Sequence, residues 1–367
     1  MVTFLPAPPI IHRPLLRWLL LVAALSLVCP VSGQQAVGSG VGIRPDSQEF
    51  FLLQAFHARY AAKRQALYHL GLLTEQASQG YRVSAVLDGF PAQAAGLRRG
   101  DLLIAMDGEP FDPILSLNPR IGDGRSGNVM EKPGGPGPIE LSFRRNGQPD
   151  SVVLEPVHGN LFDAYRSAMT NSMQQFSNGN KVIGYIRLWT LDRSTDGLQT
   201  FRQSLAALDH CDGLIVDVRD SYGFISAEHL DRFFPTRNSY FQMQGDNPDL
   251  WQHPQRERLT DDYYGRAMVV IQNRGTRGGM ELFSYQLGKL QRVVTLGEPT
   301  MGKAGRIVSD RSTNSLRYLP GDDILIDGIS LESSGFVPEQ SVDYPLSSSP
   351  VSDPQFQAAM MTLMQIM

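Results

Sequence analysis

The stretch "AMVVIQNRGTRGGMELFSYQLGKL", Ala267 to Leu290, decides how this chain is read. "AMVVIQ" is a short apolar run of the kind buried on both faces of a parallel sheet. "MELFSYQLGKL" spaces its apolar residues as a helix does. Between them lies a turn, "NRGTRGG", Asn273 to Gly279. A strand–turn–helix junction at the carboxyl end of a sheet is a common place for a hydrolase nucleophile. This turn holds no serine or cysteine.

Outward from that junction the same alternation repeats. "KVIGYIRLWTL" (181–191), "GLIVDVRD" (213–220) and "RVVTLGE" (292–298) read as strands. "NLFDAYRSAMTNSMQQF" (160–176), "GLQTFRQSLAALDH" (197–210), "SAEHLDRFF" (226–234) and residues 279–290 read as helices. Strands alternating with helices imply an α/β layer with a mainly parallel sheet. The stretch before residue 160 differs. Residues 34–45 read as a flexible start, and Ser47 as the N-cap of a helix with Glu49 in its first turn. Short strands then surround a short helix, with turns at Asp88-Gly89, Gly100-Asp101 and Asp107-Gly108. "GRSGNVMEKPGGPGP" (124–138) is a Gly/Pro-rich loop, and "IELSFRRNGQPDSVVLEPV" (139–157) a hairpin turning at Asn146-Gly147.

The 367 residues carry a net charge of −4, which argues against the basic footprint of a nucleic-acid binder. At the start, Arg13 and Arg17 precede "WLLLVAALSLV", and "VSG" follows. That is the pattern of a secretory signal over residues 1–33. Its removal would take the charge to −6 and leave no transmembrane span. "SLVC" is a poor lipid-attachment site because Val28 is bulky. Cys211 is the other cysteine, read as a buried filler before a strand. The histidines are scattered without metal spacing, and no cofactor is expected.

Two stretches resemble known families. "GFPAQAAGLRRGDLLIAMDGEPF" (89–111) is similar to the PDZ domain of bacterial proteases, with Leu70, Gly71 and Leu72 where that domain has its carboxylate-binding loop. From about residue 180, "KVIGYIRLWTL", "GLIVDVRDSYGF", "VVIQNRGTRGGMEL", "VVTLGEPTMGKAG" and "GFVPEQSV" follow the order of the carboxyl-terminal processing, or tail-specific, serine peptidases. The resemblance implies a crotonase-like α/β core preceded by a small β-rich PDZ domain. It divides the chain into a signal (1–33), a helical segment (34–67), a PDZ domain (68–158), a peptidase-like domain (159–348) and a C-terminal helix or tail (349–367). A PDZ domain captures chain ends by strand addition, so protein C-termini are the implied partners, in an exported, periplasmic setting. A homo-oligomer is left open.

That family works by a serine–lysine dyad. Lys303 matches its base, and Gly223 and Gly279 the backbone amides that hold the oxyanion. Asn273 and Glu281 anchor the nucleophile turn, which places Gly278 at the serine. Ile307 stands where the family commonly has glutamine. The resemblance therefore implies a homologue with lost or impaired proteolysis. The alternatives are an active endopeptidase with a displaced nucleophile such as Thr276, and a structural or small-ligand-binding relative. Gly278, Gly279 and Met280 could hold an anion at the helix N-terminus beside Arg277, or serve only a tight turn. Ser221 and Ser284 are weaker nucleophile candidates. Arg219 reads as structural, paired with Asp217 or Asp220. The aromatic-rich insertion around Trp251 either meets a partner or packs on its own domain.

Overall fold

The computed structural model describes residues 40–59, 61–121, 135–254, 263–310, 315–346 and 352–367. The signal-like segment lies outside them, as do residues 122–134 and 255–262.

Chain order begins with a strand, β1 (Val41–Ile43), and helix α1 (Gln48–His57). Ser47 caps α1 as expected, its hydroxyl accepting from the Phe50 amide at 3.1 Å. Six of the ten α1 residues are buried hydrophobics, so this helix is enclosed rather than laid on a surface. Strand β2 (Leu67–His69) follows. An antiparallel sheet then forms from β3 (Leu72–Ala77), β4 (Gly80–Val86), β5 (Leu102–Met106), β6 (Glu109–Pro110), β7 (Ile139–Arg145) and β8 (Gln148–Leu154). Its order is β3-β4-β5-β7-β8, with β6 on β5 and a four-residue helix α2 (Pro91–Ala94) between β4 and β5. The β7–β8 turn has φ of +50° at Asn146 and +81° at Gly147, the mirror-image turn that Asn-Gly favours. Leu70, Leu72, Val83, Leu103, Leu141 and Phe143 fill the core of this sheet. Strand β9 (Val157–Gly159) returns to pair with β2.

After helix α3 (Leu161–Asn171), capped by Asn160, come β10 (Gln174–Asn178), β11 (Lys181–Arg187), α4 (Thr195–Ala206) and β12 (Gly213–Asp217). Next are a two-residue strand β13 (Tyr222–Gly223), α5 (Ala227–Leu230), β14 (Met243–Gln244), β15 (Ala267–Gln272) and β16 (Arg277–Gly278). The chain closes with α6 (Gly279–Gly288), β17 (Val293–Gly297), β18 (Arg306–Asp310), β19 (Ser315–Leu319), β20 (Leu325–Ile326), β21 (Ile329–Ser330), β22 (Gln340–Ser341) and α7 (Pro354–Ile366). The central sheet runs β10-β11-β12-β15-β17-β22. Every residue of β12 is buried, as the apolar run Gly213–Val216 requires, and Asp217 at its end is paired with Arg219. Ala359 and Leu363 of α7 cover one face through Ile183, Ile215 and Val269, while α4 and α6 cover the other. Arg219 holds Asp217 through its Nε at 2.9 Å and reaches Asp353 before α7 at 2.7 Å, so this buried pair ties the helix to the sheet.

Several expectations are corrected. The fold is mixed α/β. The central sheet is parallel except at β10–β11, but eleven of the sixteen strand pairings among the described residues are antiparallel, so the chain as a whole is not mainly parallel. Residues 41–43 form a strand on β19 rather than a flexible start. Residues 174–178 continue as strand β10, not helix, because Ser172 ends α3 and β11 offers an edge to pair with. Only four residues of 226–234 are α-helical. Trp251, Tyr240 and Phe241 of the insertion are buried against their own domain.

Helix α1 lies where the two sheets meet. Its Phe50, Phe51 and Phe56 share one cluster with Ala85 and Leu87 from the antiparallel side and Trp189 and Tyr222 from the α/β side. No described helix is long and apolar enough to cross a membrane.

Candidate functional site

The site assembles from the ends of neighbouring central strands. After β12 and β15 the chain makes two short strands that pair in parallel, with Gly223 the register partner of Gly278. Segments 55 residues apart in sequence thus bring two of the expected site residues side by side. Gly278 caps helix α6 with φ +63° and ψ −138°, a conformation that side chains rarely adopt. Gly279 has backbone on its other side: a Cβ there would stand 2.7 Å from the Ile225 amide nitrogen and 2.8 Å from the Gly223 carbonyl. Lys303 arrives on the loop after β17. Lys303, Gly223, Gly278 and Ile307 line one cavity of about 180 Å³. Gly279 is buried behind it.

A residue that served only as a motif anchor in the sequence builds this arrangement. Glu281 is the third residue of α6, and the nearby Gly278 amide favours its charged form. Its carboxylate accepts from the Thr300 hydroxyl at 2.6 Å, the Gly302 amide at 2.6 Å and the Lys303 amide at 3.0 Å. One buried carboxylate therefore fastens the turn of Gly278 to the loop of Lys303. Burial pushes its carboxyl up to about 7, against the hydrogen bonds that favour the charged form.

A side chain at Gly278 would be crowded on one side. A Cβ at this position would lie 3.0 Å from Cε2 of Tyr222 and 3.3 Å from the Gly223 carbonyl oxygen. The Tyr222 hydroxyl bonds His57 Nε2 at 2.6 Å, and the Arg277 guanidinium lies 5.3 Å from the Tyr222 ring centre. Burial opposes the charge on Arg277, and the Glu49 carboxylate at 2.5 Å overcomes it, leaving the guanidinium above its usual value. Glu49 and His57 both belong to α1. Burial pushes the His57 imidazole down, with Asp249 opposing. Arg277 is thus already paired with Glu49.

Lys303 is 45% exposed in its side chain, with Nζ 4.0 Å from Glu332 and 4.5 Å from the Tyr318 ring centre. Both neighbours attract an ammonium ion. Glu332 also accepts from the Tyr318 hydroxyl at 2.6 Å and the Ala304 amide at 3.0 Å. The other hydroxyls are committed to structure. Thr276 is buried, donates to the Val218 carbonyl at 2.8 Å and does not line the cavity. Ser221 donates to the same carbonyl at 2.5 Å, and Ser284 to Gln272 Oε1 at 2.6 Å.

Leu70, Gly71 and Leu72 lie away from this cavity, at the start of β3. Gly71 has φ +76°, and a Cβ there would meet that of Phe90 at 2.2 Å, so only glycine fits. The Gly71 carbonyl accepts from the Leu87 amide at 2.8 Å and the Leu70 carbonyl from the Ala92 amide at 3.0 Å. Leu70 and Leu72 are themselves core residues. β3 is an edge strand. At that edge Gln48 of α1 donates to the Leu72 carbonyl at 2.5 Å and accepts from the Thr74 amide at 3.1 Å. A side-chain amide thereby makes the pair of bonds that an added strand would make with its backbone.

Comparison with known proteins follows the same residues. Residues 182–340 match the model of peptidase family S41. The chain is 26% identical over 302 residues to the carboxyl-terminal-processing protease of Synechocystis sp., covering 76% of this chain and 64% of that protein. It is 24% identical over 229 residues to the chloroplastic C-terminal processing peptidase of Tetradesmus obliquus, covering 59% of this chain and 46% of that protein. The chain thus spans about half to two thirds of the length of these relatives. Among solved structures, the photosystem II D1 C-terminal processing protease superimposes with a TM-score of 0.45 at 17% identity, over 83% of this chain and 78% of that one. Over residues 182–340 the chain thus matches peptidase family S41, and the curated relatives it resembles are C-terminal processing peptidases.

Proposed function

We propose that this chain is an exported, PDZ-containing S41 homologue that binds protein C-termini and does not cleave them. The observation that carries the reading is the nucleophile position. Gly278 offers no hydroxyl, and the Tyr222 ring stands beside the point where a side chain would begin. Lys303, in the base position, has a carboxylate for a partner instead of a serine. The residues from 68 to 158 act in this reading as the PDZ domain, and residues 159–348 as the peptidase-like domain. Binding uses the β3 edge and the Leu70–Leu72 loop, with an incoming chain end displacing Gln48. Because Gln48 and the Glu49–Arg277 pair sit on consecutive residues of α1, an occupied edge also disturbs the helix that plugs the S41 cavity.

An active enzyme with Thr276 as nucleophile requires a hydroxyl that instead holds the Val218 carbonyl from a buried position. The test is cleavage of an unstructured protein by the purified chain, its Lys303→Ala variant and its Thr276→Val variant, together with binding of a labelled peptide bearing a free or amidated C-terminus. Binding that needs the free carboxylate, without cleavage, is expected. Cleavage lost in Lys303→Ala would overturn the reading and make the chain a working endopeptidase.

A further inference from the structure

Two Arg-Arg pairs, Arg98-Arg99 and Arg144-Arg145, stand far apart in sequence. In the fold they join Arg82 along one cleft of about 260 Å³ on the antiparallel sheet. Arg82 and Arg144 flank Leu102 across β4, β5 and β7. Neighbouring strands are about 4.8 Å apart, so these two arginines share a sheet face about 10 Å from each other. Arg98 and Arg99 close the cleft from the turn before β5.

The charges here are unbalanced. Asp101 is the sole carboxylate lining the cleft, and Arg145 takes both its oxygens at 2.8 and 2.7 Å. Among the described residues, Arg82, Arg98, Arg99 and Arg144 make no ion pair. Glu75 faces Arg82 in register, and Asp150 acts on Arg145 from nearby, but neither closes on an arginine. Some donors hold the protein itself: Arg82 the Gly100 carbonyl at 2.8 Å, Arg99 the Ser84 and Tyr344 carbonyls, and Arg144 the Gln79 side chain at 3.0 Å. These bonds position the guanidinium groups without neutralising them. The chain as a whole is acidic at −4, so this cleft is a local reversal of sign.

We propose that the cleft binds a compact polyvalent anion carrying phosphoryl groups. Guanidinium forks match the oxygens of phosphate in two-point contacts. A phosphoryl group brings up to about two negative charges, against one for a carboxylate, so it offsets more of the four unpaired arginines within a small volume. The group could be a free diphosphate or the headgroup of a phosphomonoester lipid.

Titration calorimetry of the full chain with inorganic pyrophosphate tests this, beside Arg98→Gln/Arg144→Gln and a control, Arg202→Gln, on the exposed side of α4. Vesicles of phosphatidylcholine with and without phosphatidic acid form the second arm. One-to-one binding of pyrophosphate, weakened about tenfold or more in the double variant and unchanged in the control, is the expected result for a free anion. Binding to phosphatidic acid vesicles alone, lost in the double variant, supports the same chemistry on a headgroup. The inference is overturned if neither probe binds, if parent and double variant bind alike, or if a single-stranded oligonucleotide is preferred over pyrophosphate. Melting curves establish that the variants fold, and Arg98→Gln alone replaces the double variant if it does not.

Discussion

The Tyr222 ring lies 3.0 Å from the point where a Cβ on Gly278 would stand. On the proposed reading, the nucleophile position therefore differs in more than its side chain. Gly278→Ser meets both the ring and a backbone at φ +63°, so it is expected to lower stability by about 1–3 kcal/mol and to remain without proteolytic activity. Tyr222→Ala removes the ring. The double variant should be less destabilised than the sum of the two changes, with a coupling of about 1 kcal/mol or more in urea unfolding. Strict additivity would show that the ring does not occupy the position.

Arg277 depends on Glu49. Glu49→Gln leaves a buried guanidinium without its counter-charge. Removing one partner of a fully buried pair costs about 3–5 kcal/mol. Glu49 is 40% exposed, so solvent screening reduces the expectation to about 1–2 kcal/mol. Thermal unfolding measures it, and Glu49→Gln/Arg277→Met should recover part of the loss.

Binding at the β3 edge should be opposed by Gln48. Its replacement by alanine frees the Leu72 carbonyl and the Thr74 amide. Peptides with a free C-terminal carboxylate are expected to bind Gln48→Ala up to about tenfold more tightly, at a stability cost of about 1 kcal/mol. Fluorescence anisotropy reads the affinity. An unchanged affinity would place the peptide elsewhere.

Glu281 makes a signed prediction about pH. Its carboxyl is raised from 4.5 to about 7 in the folded chain. Its contribution is present below about 4.5 and lost as pH rises through about 7, a change of about 3 kcal/mol. His69 and His229, pushed down to about 4 by burial, act in the opposite sense, so stability rises with pH between about 4 and 6.5 on their account. The Glu281 effect is therefore the difference between parent and Glu281→Gln, measured by urea unfolding at pH 5 and pH 7.5. The parent's advantage over the variant should shrink at the higher pH.

Much of this was legible in the chain itself. An apolar run such as "GLIV" (213–216) finds its stable place in the middle of a parallel sheet, and β12 lies there. Asn146-Gly147 makes its turn, and Ser47 and Asn160 make their caps, because each relies on bonds within a few residues. The order of Asn273, Gly278, Glu281 and Lys303 likewise follows the pattern on which the family resemblance rests. Where tertiary contact decides, local pattern fails. Residues 174–178 and 41–43 became strands because edges were available to pair with. Three donors, on Thr300, Gly302 and Lys303, stand well beyond Glu281 in sequence, and only the folded loop aims them at its carboxylate. Five arginines in an acidic chain carry no visible sign of a shared cleft, and α1 gives no hint that its Gln48, Glu49 and His57 reach three different strands. Short-range hydrogen bonding and hydrophobic period are written in the order of residues. Long-range charge pairing and occlusion depend on which surfaces packing brings together.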